Sequence, residues 1–148
     1  MSRTIRRSLI GALLSLLATI GLVAGTAGTA HAAVPVYSIE LEGMIIADNQ
    51  DNNSVDEVFI KVNGAKVWGP RDVPWNTYQW LNADNLVFYF DANGQAKIEF
   101  WDQDPGADDR VGTITILGSA PPANGTYGVE LKGNDGHYAV YYTVTRIA

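Results

Sequence analysis

From residue 36 onward the chain alternates apolar and polar residues in short runs, and no helical period is sustained. In "VYSIELE" (Val36–Glu42), Tyr37, Ile39 and Leu41 are interleaved with Ser38, Glu40 and Glu42, the period of two that marks a half-buried strand. Runs of the same kind predict strands at Glu57–Val62, Ala65–Trp68, Leu86–Phe90, Ala96–Trp101, Val111–Leu117, Tyr127–Lys132 and Tyr138–Thr145. Tyr, Val, Ile, Phe and Thr dominate these runs, as pleated, half-buried surfaces favour. Phe100 and Trp101 are adjacent, so one points inward and the other outward. Between the runs stand Asn63-Gly64, Asn93-Gly94 and Asn134-Asp135-Gly136. Asn-Gly supplies the positive-φ pair of a type I′ turn, so the first two are expected to close tight hairpins. "GSAPPANG" reads as a longer, stiff loop. About eight short strands without a long helix predict an all-β fold, an antiparallel two-sheet β-sandwich.

The first 32 residues follow a different pattern. Arg3, Arg6 and Arg7 precede an apolar stretch, Leu9–Val23, and small residues then lead to Ala30-His31-Ala32. A basic segment, an apolar segment and an A-x-A site form a secretory signal peptide, expected to be cleaved after Ala32. That leaves residues 33–148 as one domain, long enough for a single modest core, and free secretion is the expected localisation. The mature chain keeps seven Lys and Arg against sixteen Asp and Glu, a net charge of −9. A surface this acidic repels nucleic acid and anionic headgroups. There is no cysteine, so neither disulfides nor thiolate metal sites are available to an exported domain.

The charge is concentrated in two connections. "FWDQDPGADDRVG" places Asp102 and Asp104 at the end of a predicted strand and Asp108 and Asp109 before the next. Residues i and i+2 of an extended chain point the same way, so Asp102 and Asp104 face a common point. "ADNQDNNSVDE" adds Asp48, Asp51 and Asp56. Carboxylates held close together disfavour one another's charged form and call for a counter-charge. Hard cations take six to eight oxygens, which two such loops at one end of a sandwich supply together with backbone carbonyls and water. The EF-hand spacing is not met from either Asp48 or Asp102.

Two segments carry a family resemblance. "SVDEVFIKVNG" is similar to the Ser-Asp run and aromatic strand ending in Lys-Val of calcium-binding C2 domains. "FWDQDPGADDRVG" resembles that family's strand, Asp-x-Asp, loop and Asp-x-Ile/Val-Gly segment. The resemblance spans roughly Val36 to Leu117. It implies a C2-like sandwich with Ca2+ as the bound ion, and ligands at Asp48, Asp56, Asp102, Asp104 and Asp109. Asp51 and Asp108 are additional acids without a counterpart. A lysine-rich phosphoinositide strand is missing, and the loop tip is Pro105-Gly106-Ala107. Strong binding to anionic membranes is therefore not expected.

Other chemistry is sparse. His137 is the only histidine after residue 32, and no G-x-S-x-G or H-E-x-x-H pattern occurs, so no enzymatic activity is expected. "VWGPRDVPWNTYQW" gathers Trp68, Trp75, Tyr78 and Trp80. Trp68 and Trp80 are expected to close the ends of the core, with Trp75 shielding the loop. The alternative is that this aromatic loop stacks on sugar rings as a carbohydrate-binding module. The sequence thus predicts a secreted, non-enzymatic calcium-binding module that meets an extracellular or cell-surface partner.

Overall fold

The computed structural model describes residues 33–48, 55–133 and 136–148. The expected signal peptide and Asp51 lie outside these residues. Nine strands follow in chain order: β1 (Val36–Asp48), β2 (Val55–Val62), β3 (Ala65–Pro74), β4 (Tyr78–Trp80), β5 (Val87–Asp91), β6 (Gln95–Asp102), β7 (Asp109–Leu117), β8 (Gly125–Lys132) and β9 (His137–Arg146). They form two antiparallel sheets, one ordered β4–β1–β9–β8 and the other β3–β2–β6–β7. The long β1 pairs with β9 on one edge. Its other edge is shared between β5, along Val36–Glu40, and β4, along Gly43–Ile45. The fold is the antiparallel two-sheet sandwich that the alternation predicts.

Alternation also fills the core. Tyr37, Ile39, Leu41, Tyr138, Val140, Tyr142 and Val144 point inward from the first sheet, opposite Val58, Ile60, Val62, Ile98, Phe100, Ile114 and Ile116 from the second. Each large aliphatic or aromatic side chain removed from water in this way contributes roughly 1.5–3 kcal/mol. In β1 the alternation changes phase. Leu41 and Met44 are both fully buried, with a register shift between Leu41 and Gly43. This bulge turns both Glu42 and Gly43 to the outer side, as an extra residue in one strand does.

Two connections differ from the sequence reading, and one agrees with it. Asn63 and Gly64 have φ of 49° and 87° and close the β2–β3 hairpin as expected. Asn93-Gly94, however, connects β5 and β6, which lie in different sheets. It closes a turn in which the Gly94 N–H bonds to the Asp91 carbonyl and the Asn93 N–H to the Asp91 carboxylate, so local turn chemistry was mistaken for strand pairing. The aromatic connection holds more strand than expected. β3 runs on through Gly69-Pro70 across a register shift, and Tyr78–Trp80 forms the short β4. Proline breaks the sequence pattern, yet an edge strand tolerates it.

Candidate functional site

The acidic residues gather at the end of the sandwich where β6 ends and β2 and β7 begin. Val58 pairs with Asp102, and Asp102 with Asp109. The ladder continues past the end of β6, where the Gln103 N–H donates to the Glu57 carbonyl at 3.0 Å. Carried on by that step, the register sets Asp104 level with Asp56. Asp56 lies within β2 rather than in the preceding loop where the sequence placed it. It takes an inward position of the strand and is fully buried, as is Asp102. Asp104 is half-buried, and Asp108 and Asp109 are exposed. Asp48 ends β1 in the other sheet, pairs with His137 and is exposed.

Tyr138, which the sequence did not mark as functional, links the two sheets here. It is fully buried on β9, and its hydroxyl donates to Asp56 Oδ2 at 2.9 Å. Burial pushes the phenol far above its usual pKa, reinforced by the charges of Asp56 and Asp102, the hydrogen bond to Asp56 and the charge of Asp104. Three carboxylates from β2 and the end of β6 thus act on one hydroxyl of the opposite sheet. Asp56 and Tyr138 are 82 residues apart, and only the packing of the sheets brings them together.

The donors at this end are carboxylate oxygens, which suit a hard cation and not a soft one. Among the described residues, no group of three or more Asp, Glu or His side chains is gathered so as to hold a metal ion. Trp75 stands nearby, its Nε1 donating to the Ala47 carbonyl at 3.1 Å. His137 Nε2 lies 3.5 Å from Glu130 Oε2. Lys132 and, less strongly, His137 hold the Glu130 carboxyl below its ordinary range.

The tryptophans divide. Trp68 is a core residue, as expected, and its Nε1 donates to Asp84 Oδ2 at 2.7 Å. That bond, together with Arg71, lowers the Asp84 pKa. Trp80 does not close the core. It is 60% exposed, because β4 pairs along β1 and places Trp80 on the outer face of the sheet. Phe100 points inward and Trp101 outward, where it stacks on Phe59.

No known protein family matches the chain, and no curated protein does. Among solved structures, a C2 domain is similar at 15% identity and a TM-score of 0.48, over 77% of this chain and 99% of that one. A C2 domain of plant Extended Synaptotagmin 1 is similar at 13% identity and a TM-score of 0.44, over 78% and 97%. The two calcium-bound C2 domains of Extended-Synaptotagmin 2 are similar at 16% identity and a TM-score of 0.48, over 76% of this chain and 45% of that one. These solved structures similar to the chain are C2 domains, the family that its two acidic segments resemble.

Proposed function

We propose that the protein is a secreted, non-enzymatic β-sandwich module that binds calcium at its acidic end and meets an extracellular or cell-surface partner. The observation that carries this reading is the burial of Asp56 and Asp102 at the end where Asp104 and Asp109 also stand. Removing carboxylates from water is costly. The Tyr138 hydroxyl donates to an oxygen of Asp56. A divalent cation held among the carboxylates would lower that cost. Asp56, Asp102, Asp104 and Asp109 would draw together around the ion, with Asp48 contributing from the other sheet. Backbone carbonyls and water would supply further oxygens, as calcium sites use. The acidic surface and the small Pro105-Gly106-Ala107 tip favour a protein or glycan partner over an anionic membrane.

Thermal unfolding with EDTA and with several millimolar calcium tests this. Extracellular modules bind calcium at about 0.1–1 mM, so millimolar calcium should stabilise by roughly 0.5–1.5 kcal/mol. Asp102→Asn and Asp104→Asn should each remove most of that gain. In EDTA the same changes should be neutral or slightly stabilising, because they relieve carboxylate repulsion. Identical melting of the wild type in EDTA and in calcium would sink the calcium assignment. Intact-mass measurement of the exported protein addresses secretion separately: a chain beginning at Ala33 is expected, and one retaining Leu9–Val23 would reverse the localisation.

A further inference from the structure

A different site lies on the outer face of the β4–β1–β9–β8 sheet. Across its four strands run Gly128, Tyr141, Gly43 and Trp80, each paired with the next. Rings and glycines alternate along this row, and the glycines make room for rings to lie against the sheet. The Tyr78 ring occupies the space that a Cβ on Gly43 would fill, and a Cβ on Gly128 would sit 3.2 Å from Tyr141 Cε1. Tyr78 and Trp80 meet edge to face at 4.6 Å and 62°, and Tyr78 and Tyr141 are 6.0 Å apart with a 33° tilt. The rings therefore form a corner rather than a flat shelf. An open groove of about 500 Å³ is lined by Glu42, Tyr78, Trp80, Thr126 and Tyr141.

The β1 bulge sets Glu42 beside these rings. Its carboxylate accepts from Thr143 Oγ1 at 2.7 Å and from Asn82 Nδ2 at 3.4 Å. Burial first, and then the charges of Glu42 and Tyr141, raise the Tyr78 pKa, so the Glu42 charge is felt within the groove. None of the described residues lining it is Lys or Arg.

We infer that this groove binds a small quaternary ammonium solute, seated in the corner of Tyr78, Trp80 and Tyr141 with its charge balanced by Glu42. Aromatic faces attract cations through the ring quadrupole, and quaternary ammonium groups are recognised by such cages. Two observations separate this ligand from a sugar. A carboxylate beside aromatic rings, with no Lys or Arg among the described lining residues, favours a cation over a neutral sugar. A sugar ring also stacks on a flat platform, whereas Tyr78 and Trp80 stand at a steep angle. The proposal is independent of the calcium reading and uses none of its residues.

Choline chloride is the probe, with 3,3-dimethylbutanol as its uncharged isostere, and binding to the purified protein is followed by calorimetry and by NMR shifts of the Trp indole N–H signals. Choline should shift the Trp80 signal, and the isostere should bind roughly tenfold more weakly or worse. Trp80→Ala, at an exposed position, should melt like wild type and lose choline binding roughly tenfold. Tyr141→Leu should weaken binding in the same direction, and Glu42→Gln should weaken choline without affecting the isostere. Equal binding of the isostere, no response to choline at tens of millimolar, or retained affinity in Trp80→Ala would overturn the assignment. So would a soluble oligosaccharide that shifts the Trp80 signal when choline does not. Co-sedimentation with phosphatidylcholine vesicles that Trp80→Ala abolishes would replace the free solute with a lipid surface.

Discussion

The two sheets each carry an aromatic cluster on the outer face, and the clusters are treated in opposite ways. On the β3–β2–β6–β7 sheet, Phe59 and Trp101 stack at 5.9 Å with planes 8° apart, and Phe59 is fully buried although it points away from the core. The chain covers them with its own cations: Lys66 Nζ is 3.9 Å from the Phe59 ring centroid and Lys61 Nζ 4.1 Å from that of Trp101. Glu99 then holds Lys97 at 2.8 Å and Arg110 at 3.6 Å. On the other sheet, Tyr78, Trp80 and Tyr141 have a carboxylate beside them, and Trp80 is open to solvent. Where the chain supplies the cations, the cluster is part of the structure. Where it supplies only the anion, a cation from outside has a place.

The sharpest test of this contrast is stability. Phe59→Ala removes a buried ring from a stack and should cost about 3–5 kcal/mol, whereas Trp80→Ala should stay within about 0.5 kcal/mol of wild type. Urea unfolding of the two variants decides it, and equal losses would erase the distinction. Next in size is Gly43→Ala. The new methyl group meets the Tyr78 ring, and overpacking of this kind costs about 1–3 kcal/mol. The ring must also move, so the near-ultraviolet circular dichroism of the aromatic corner should change as stability falls; an unchanged spectrum would mean that Tyr78 does not depend on the glycine.

A smaller effect separates the faces by pH. Lys97 first, and Arg110 after it, hold the Glu99 carboxyl below its ordinary range. Because the folded pKa is depressed, the ionised pair stabilises fully above the unfolded value of about 4.3. That contribution is lost as pH falls through the folded value. Both cations are about half exposed, so the pairs are worth at most about 1 kcal/mol. Glu99→Gln should lower stability at pH 7 by that amount and converge with wild type in the most acidic range. A difference that persists unchanged at about pH 2, below the carboxylate range, would argue for packing rather than charge. The smallest expected effect is the coupling of Lys61 to Trp101, about 0.5–1 kcal/mol in a double-mutant cycle with Lys61→Gln and Trp101→Leu. A coupling of zero would mean that the lysine merely lies over the ring.

Much of the fold was legible because strand alternation is a property of the local backbone. Eight runs with period two became β1–β3 and β5–β9; β1 and β3 run six residues further than the alternation predicts, and the other ends moved by two residues at most. The strand that was missed, β4, has three residues and too few positions to display a period. The acids Asp102 and Asp104 were placed at a strand end correctly for the same local reason. Tyr138 was not legible as their neighbour. It reads as one more inward residue of β9, and its bond to Asp56 depends on which strands face each other across the core.

The sequence by itself determined the all-β class, the inward residues of nearly every strand and the concentration of carboxylates in two connections. Each follows from the two-residue repeat of an extended chain or from composition, which any packing of the strands must respect. Only the tertiary structure decided which sheet each strand joined, and with it the fate of the aromatic residues. Sheet order placed Lys66 over Phe59 and left Trp80 open, and the bulge at Glu42 turned a carboxylate toward Tyr78 and Tyr141. Those outcomes are set by strand pairing between residues far apart in the chain, where the free energy of packing the whole core selects the partners and the local pattern does not.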